Sequence, residues 1–236
     1  MPSPMRLPAG ISTAAKGTTL YNYPAPDPTK VFTYFNDFTE YVAGDWTVTS
    51  VGAATRALEA DVAGGALLLT TTGTEDDGTQ LQLTTENFTF AAGKKAWFKA
   101  RFRLNDVTQS DFLIGLAVLD TTALDADGDG VTDGVFFSKD DGDALLDFQV
   151  QKDATTGQSR ATGIATIVVD TFMTVGFEYD GVSSVKYFVN DVHKGTVTLS
   201  STNMPDTPVT PTMALLTGEG NACTASIDYI FAAIER

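Results

Sequence analysis

Between Met173 and Val192, apolar residues take every second position in two runs, Met173-Val175-Phe177-Tyr179 and Val185-Tyr187-Val189, on either side of Asp180-Gly181. A period of two puts these side chains on one face of an extended chain, and an Asp-Gly pair tolerates the positive φ of a tight turn. The stretch therefore predicts a half-buried β-hairpin. Asn190-Asp191 is a second turn signal, and a further alternating strand runs from Val192 to Leu199. The same rhythm continues through the chain. It predicts strands over 31–35, 46–51, 66–71, 80–84, 96–104, 112–119, 135–138, 145–151, 164–169, 173–179, 185–190, 196–199, 212–216 and 225–234. Helical periodicity is almost absent, with room for one short helical turn within 227–236. Many short strands separated by Gly- and Asp-bearing turns are the pattern of a sandwich or barrel.

Residues 1–30 break this rhythm. Six of the nine prolines lie there, at Pro2, Pro4, Pro8, Pro24, Pro26 and Pro28, with small residues between them, so no periodic face forms. Two readings fit, a disordered tail or an extended arm that docks. Ile11, Leu20, Tyr21 and Tyr23 favour the arm, because a purely solvated tail needs no apolar anchors. The expected organisation is an arm over 1–30 and one β-sandwich over 31–236.

Several segments carry a family resemblance. They are Phe35-Asn36-Asp37-Phe38 ahead of Trp46, the run from Trp97 to Leu104, Asp111-Phe112-Leu113-Ile114-Gly115-Leu116, the hairpin around Asp180-Gly181, and the closing Ile227-Asp228-Tyr229-Ile230. Together they resemble the concanavalin A-like lectin/glucanase superfamily. The resemblance implies an all-β, two-sheet antiparallel jelly-roll sandwich, and it says little about function, because lectins, hydrolases and structural modules share this fold. The opening from Leu7 to Ile11 and from Pro26 to Phe38 resembles structural proteins of tailed bacteriophage particles. That second resemblance implies a capsid decoration or head-fibre-like component, made in the host cytoplasm and residing on the virion.

Charge and cysteine content narrow the alternatives. Thirty acidic residues against fifteen Lys and Arg give a formal charge of −15, which repels phosphate backbones and anionic lipid, so neither nucleic acid nor membrane is an expected partner. Cys223, the single cysteine, has no internal disulfide partner and reads as a packed strand thiol. The N-terminus shows no continuous apolar run of the secretory kind.

Asp125, Asp127, Asp129 and Asp133, with Gly130 at the sixth position, carry the spacing of the front of a calcium loop, in which alternate carboxylates turn toward one centre. Phe136 stands where a closing bidentate Glu belongs, so one structural Ca2+ or a solvated acidic turn both fit. Asp120 is an extra potential ligand. Asp140-Asp141-Gly142-Asp143 and Glu75-Asp76-Asp77-Gly78 read as hairpin tips.

The jelly-roll hydrolases that this chain resembles set carboxylates along one strand as Glu-x-Asp-x-x-Glu, and that spacing does not occur here. His193, the only histidine, has no nucleophile-elbow context, and no phosphate-cradling glycine loop is present. The expectation is a protein without catalytic activity. It is read as a capsid decoration protein that grips the major capsid protein or another virion subunit through its arm, in a homo-oligomer, with a trimer favoured. The alternative is a calcium-dependent, lectin-like module for host-surface adhesion that binds glycan on an aromatic platform drawn from Trp46, Trp97, Tyr21, Tyr23 and Tyr41.

Overall fold

The computed structural model describes Thr19 and residues 28–121, 123, 130–153, 159–199 and 203–236. Among these, fifteen strands and one 3-10 turn, Ala43–Asp45, follow in order: β1 (Val31–Asn36), β2 (Trp46–Val51), β3 (Thr55–Leu58), β4 (Leu67–Thr70), β5 (Gly78–Leu83), β6 (Ala96–Leu104), β7 (Ser110–Ala117), β8 (Gly134–Lys139), β9 (Leu145–Gln151), β10 (Ser159–Thr166), β11 (Met173–Tyr179), β12 (Ser184–Val189), β13 (Val192–Thr198), β14 (Thr210–Thr217) and β15 (Thr224–Glu235). The strand predicted over 225–234 forms as β15, the longest of the strands, and no helical turn ends it, since β15 pairs with β6, β1 and β4 and its backbone is consumed by ladder bonds. The short β3 escapes the sequence reading because its exposed, mixed residues show no alternation.

Two antiparallel sheets result. One has eight strands in the order β13-β12-β11-β6-β15-β4-β3, with β1 also paired to β15, and the other has seven in the order β10-β9-β8-β7-β14-β5-β2. Inward alternate residues of both sheets meet in one aromatic core. Phe148 of the seven-stranded sheet lies 5.0 Å from Phe137, 5.0 Å from Tyr187 and 6.1 Å from Phe177, the last two on the eight-stranded sheet. This is a jelly-roll sandwich, one of the two architectures that the strand pattern allows and the one that the family resemblance implies.

The Asp180-Gly181 hairpin forms as expected. Asp180 Oδ1 accepts the backbone N–H groups of Val182, Ser183 and Ser184, and its Oδ2 accepts the Ser184 hydroxyl. Partial burial works against the charge, but these donors outweigh it and hold the carboxyl down at about 2.

Both outward faces are covered in part by other segments of the chain. On the seven-stranded sheet, Leu113, Phe136 and Ala214 point away from the core and form a separate apolar cluster with Ala117, Ala123 and Val131. Gln80 donates to the Asp120 carbonyl and Gln82 to the Val118 carbonyl, so the β7–β8 connection is stitched across this face. On the eight-stranded sheet, Thr19 is 1% exposed and rests on Gly176 of β11, where an added Cβ would lie 2.6 Å from Thr19 Cγ2. At that residue the leader lies on its own sandwich.

Candidate functional site

A concavity lies where the end of β1, the 37–45 connection and the end of β5 meet. It is a groove of about 700 Å³. Its lining includes Tyr34, Phe35 and Asn36 of β1, then Asp37, Thr39, Glu40, Val42 and Asp45 of the following connection, and Trp46 of β2. The far wall is Leu83 of β5 with Thr84, Thr85 and Asn87 after it. This volume is in the range of pockets that accommodate a small ligand or a stretch of polymer.

The local sequence explains why the connection is rigid. Asn36 Oδ1 accepts the Phe38 backbone N–H at 2.8 Å, closing an Asx turn that places Phe38 at a φ of 46°. A bulky residue seldom adopts that conformation, and here the surroundings hold it. The Phe38 ring is fully buried and stacks on Trp46 with centroids 6.1 Å apart. The Asp45 carbonyl accepts the Thr84 N–H, tying the connection to the end of β5. The polar residues between Asp37 and Asp45 therefore sit on a fixed frame.

The groove offers two kinds of chemistry. Phe35 is 60% exposed beside Tyr229, while Tyr34, its neighbour on β1 and so on the opposite face of the strand, is half-buried against the core. Asn36 Nδ2 donates to the Tyr34 hydroxyl at 3.2 Å. Burial raises the Tyr34 phenol above its ordinary value, the Asn36 bond opposes that shift, and the Asp45 charge adds to it, so the hydroxyl stays protonated. Asp37, Glu40 and Asp45 supply three carboxylates, and among the described residues no Lys, Arg or His lines the groove.

A second, smaller hollow of about 310 Å³ lies over the β9–β10 hairpin and includes Asp140, Asp143, Asp147 and Arg160. Arg160 Nη2 lies 2.6 Å from both the Asp140 and the Asp147 carboxylate, and Asp147 Oδ1 also accepts the Gly163 N–H. These charges are spent on one another. Asp140-Asp141-Gly142-Asp143 is thus a cross-linked hairpin, more than a solvated tip.

The sequence-predicted residues divide three ways. Ile11, Leu20, Tyr21 and Tyr23 of the arm and Asp125, Asp127 and Asp129 of the acidic loop lie outside the described residues. Asp133 is described and only 5% exposed. Burial, with the Asp153 and Asp206 charges, raises its carboxyl above the ordinary value, while the Asp153 backbone N–H opposes the shift. Among the described residues, no group of three or more His, Cys, Asp or Glu is placed to hold a metal ion. Asp120 accepts from Thr132 Oγ1 at 3.5 Å, and its backbone N–H donates to Gln82 Oε1.

Of the expected aromatic platforms, Trp97 is fully buried and clusters with Val31 and Ala233 on the outer side of the eight-stranded sheet. Trp46 is buried beneath the groove, and Tyr41 is half-buried against the core. Cys223 is the packed thiol expected; its Sγ donates to the Gln109 carbonyl, and burial pushes it up to about 11. His193 is exposed on β13, 3.2 Å from Thr196 Oγ1. Sequence reasoning missed Phe35 as a platform and Asp37, Glu40 and Asp45 as a set. Their signal was present in Phe35-Asn36-Asp37-Phe38, a polar insertion between two aromatics at a strand end.

The two packed antiparallel sheets and their aromatic interior give the chain a concanavalin A-like jelly-roll fold. Solved structures similar to this chain include an endo-β-1,4-glucuronan lyase from the fungus Trichoderma reesei, at 13% identity with a TM-score of 0.58, covering 84% of this chain and 94% of that one. An endo-1,3-β-glucanase from Streptomyces sioyaensis is similar at 14% identity and a TM-score of 0.60, covering 89% and 98%. Peanut lectin is similar at 12% identity and a TM-score of 0.57, covering 87% and 97%. No protein-family model matches the sequence, and no curated protein matches it.

These neighbours correct the expectation of a chain without catalytic activity. Two of the three are enzymes on the same fold, so lacking Glu-x-Asp-x-x-Glu removes one arrangement of acids and not catalysis itself. The strand spacing was too narrow a test, because loops at a sandwich end bring carboxylates together from positions that no strand period predicts.

Proposed function

We propose that this protein is carbohydrate-active and holds a polysaccharide strand in the groove between β1, the 37–45 connection and the end of β5. The observation that carries the reading is one exposed aromatic ring, Phe35, with three carboxylates and several hydroxyl and amide groups lining the same groove. A pyranose ring presents C–H faces that stack on aromatic rings and hydroxyls that donate to carboxylates, so both halves of the groove have a counterpart on a sugar. Asp37, Glu40 and Asp45 are also the groups from which cleavage would draw its acid and base, since glycoside hydrolysis needs one carboxyl to protonate the leaving oxygen and a second to assist attack.

The test is a panel of soluble polysaccharides read in two ways, by affinity electrophoresis and by release of new reducing or unsaturated ends. The wild-type chain is expected to be retarded by at least one member of the panel. Phe35→Ala, a surface change, should weaken that retardation about three- to ten-fold without altering folding. An unretarded wild-type chain, or a Phe35→Ala variant that binds as the wild type does, overturns the assignment.

A further inference from the structure

The outer face of the eight-stranded sheet buries an indole that its own strands flank without capping. Along β6, Ala96, Phe98, Ala100 and Phe102 point into the core, so the pleat turns Trp97, Lys99, Arg101 and Arg103 outward. The three cations are half-buried, whereas Trp97 is fully buried. Glu178, the residue opposite Trp97 on β11, faces outward and is buried as well. The apolar residues clustered with the indole are Val31, Ala233 and the half-buried Phe231. Phe231 and Ala233 stand beside it on β15, and Val31 lies one strand further on β1. Neighbours on the same pleated surface shield the edges of so large a ring, and its top needs a layer above the sheet.

Both ends of such a layer already rest on this sheet. Thr19 is buried over Gly176 of β11, and residues 28–30 lead into Val31 at the start of β1. Gly176 is opposite Lys99, Lys99 opposite Phe231, and Phe231 opposite Phe35, so Gly176 is level with Phe35 and three strand spacings from β1. Val31 lies four residues before Phe35 on β1. At about 4.8 Å per strand and about 3.4 Å per residue, Gly176 and Val31 are about 20 Å apart, and the line between them passes between Trp97 and Ala233. The chain from Thr19 to Val31 reaches about 40 Å when extended, so it spans this distance with slack. Residues 20–27 read Leu20-Tyr21-Asn22-Tyr23-Pro24-Ala25-Pro26-Asp27, apolar anchors followed by two prolines. A proline-bearing extended stretch loses little chain entropy when it docks on an aromatic surface.

We propose that residues 20–27 of the same chain cover Trp97, so that the docking partner of the leader is its own sandwich. The surface around Trp97 takes an extended peptide of tyrosine and proline. Because Thr19 and Val31 bracket the site, the docking is intramolecular and needs no second copy. A neighbouring subunit that takes hold of Leu20, Tyr21 or Tyr23 must first lift them from Trp97.

Tryptophan fluorescence of the full chain tests this, since the chain has two tryptophans and Trp46 is buried in the core. With Trp46→Phe, the emission of Trp97 is expected at short wavelength and weakly quenched by acrylamide. Adding Leu20→Ser/Tyr21→Ser/Tyr23→Ser, all ahead of β1, should move the emission to the red and raise the quenching constant about five-fold, with the far-ultraviolet dichroism unchanged. The same triple change should act on the chain that keeps both tryptophans and have no effect in a Trp97→Phe background. Shielding of Trp97 should survive about a hundred-fold dilution. Quenching that the triple change leaves unaltered overturns the proposal, because another segment then covers the ring. Shielding that falls on dilution assigns the cover to a second copy and overturns docking within one chain. A proline-specific endopeptidase gives a readout that needs no variant: the folded wild-type chain should resist cleavage after Pro24 and Pro26, and rapid cleavage there while Trp97 stays shielded overturns the proposal.

Discussion

Asp111 offers a measurable link between burial and pH. It lies on β7, is 3% exposed, and accepts the Asp141 backbone N–H on Oδ1 at 2.5 Å. Burial pushes its carboxyl up from 3.8 to about 7; the Asp141 and Asp140 charges add to the rise, and the Asp141 N–H and the Lys139 ammonium oppose it. Between those two values the folded chain keeps a proton that the unfolded chain has released. The stabilisation is therefore complete below the unfolded value and is lost as pH rises through about 7. At 1.36 kcal/mol per pH unit the interval sets an upper bound of about 4 kcal/mol, and residual solvent screening around the carboxyl reduces this to about 2 kcal/mol. Asp111→Asn keeps an oxygen acceptor for the Asp141 N–H and removes the titration. Urea unfolding at a series of pH values from about 3 to about 8 should show the wild type losing about 2 kcal/mol that the variant retains. Parallel curves for the two proteins would refute the argument, because they would mean that Asp111 ionises in the folded state as it does in water.

Phe148→Ala should cost about 3–5 kcal/mol in denaturant unfolding, since the ring bridges both sheets and its removal opens a cavity between Phe137, Phe177 and Tyr187; a loss under about 1 kcal/mol would mean that the sheets collapse to fill it. Asp180→Ala should destabilise by about 1 kcal/mol near neutral pH by orphaning the turn donors. With its carboxyl held at about 2, the wild type loses this contribution as pH falls from about 4 through about 2, so the two proteins should converge in acid; a constant gap would assign the loss to packing.

How much of this protein was legible in its sequence follows from the range of the forces involved. Strand alternation is a local property, so the hairpin at Asp180-Gly181, the inward Val175, Phe177 and Val185, and the all-β class followed from period two, while the two-sheet jelly roll came from the family resemblance. The packed Cys223 was readable for the same reason. The β15 strand was misjudged at its end because its conformation is set by partners up to two hundred residues away, β1 and β6, which no local window contains.

The site was legible only as fragments. Phe35, Asp37, Glu40 and Asp45 are close in sequence, yet nothing in their spacing says that Phe38 folds under them at positive φ, stacks on Trp46 and leaves them facing the residues that end β5. Likewise the β7–β8 connection reads as an acidic loop, while folding lays Ala123 and Val131 on the outer face of the seven-stranded sheet and closes it. Alternation determined which side chains point inward, because side-chain direction along a strand is fixed by the pleat. Tertiary structure alone decided which surface stayed open for a ligand, because that depends on where connections of irregular backbone come to rest once the sheets have packed.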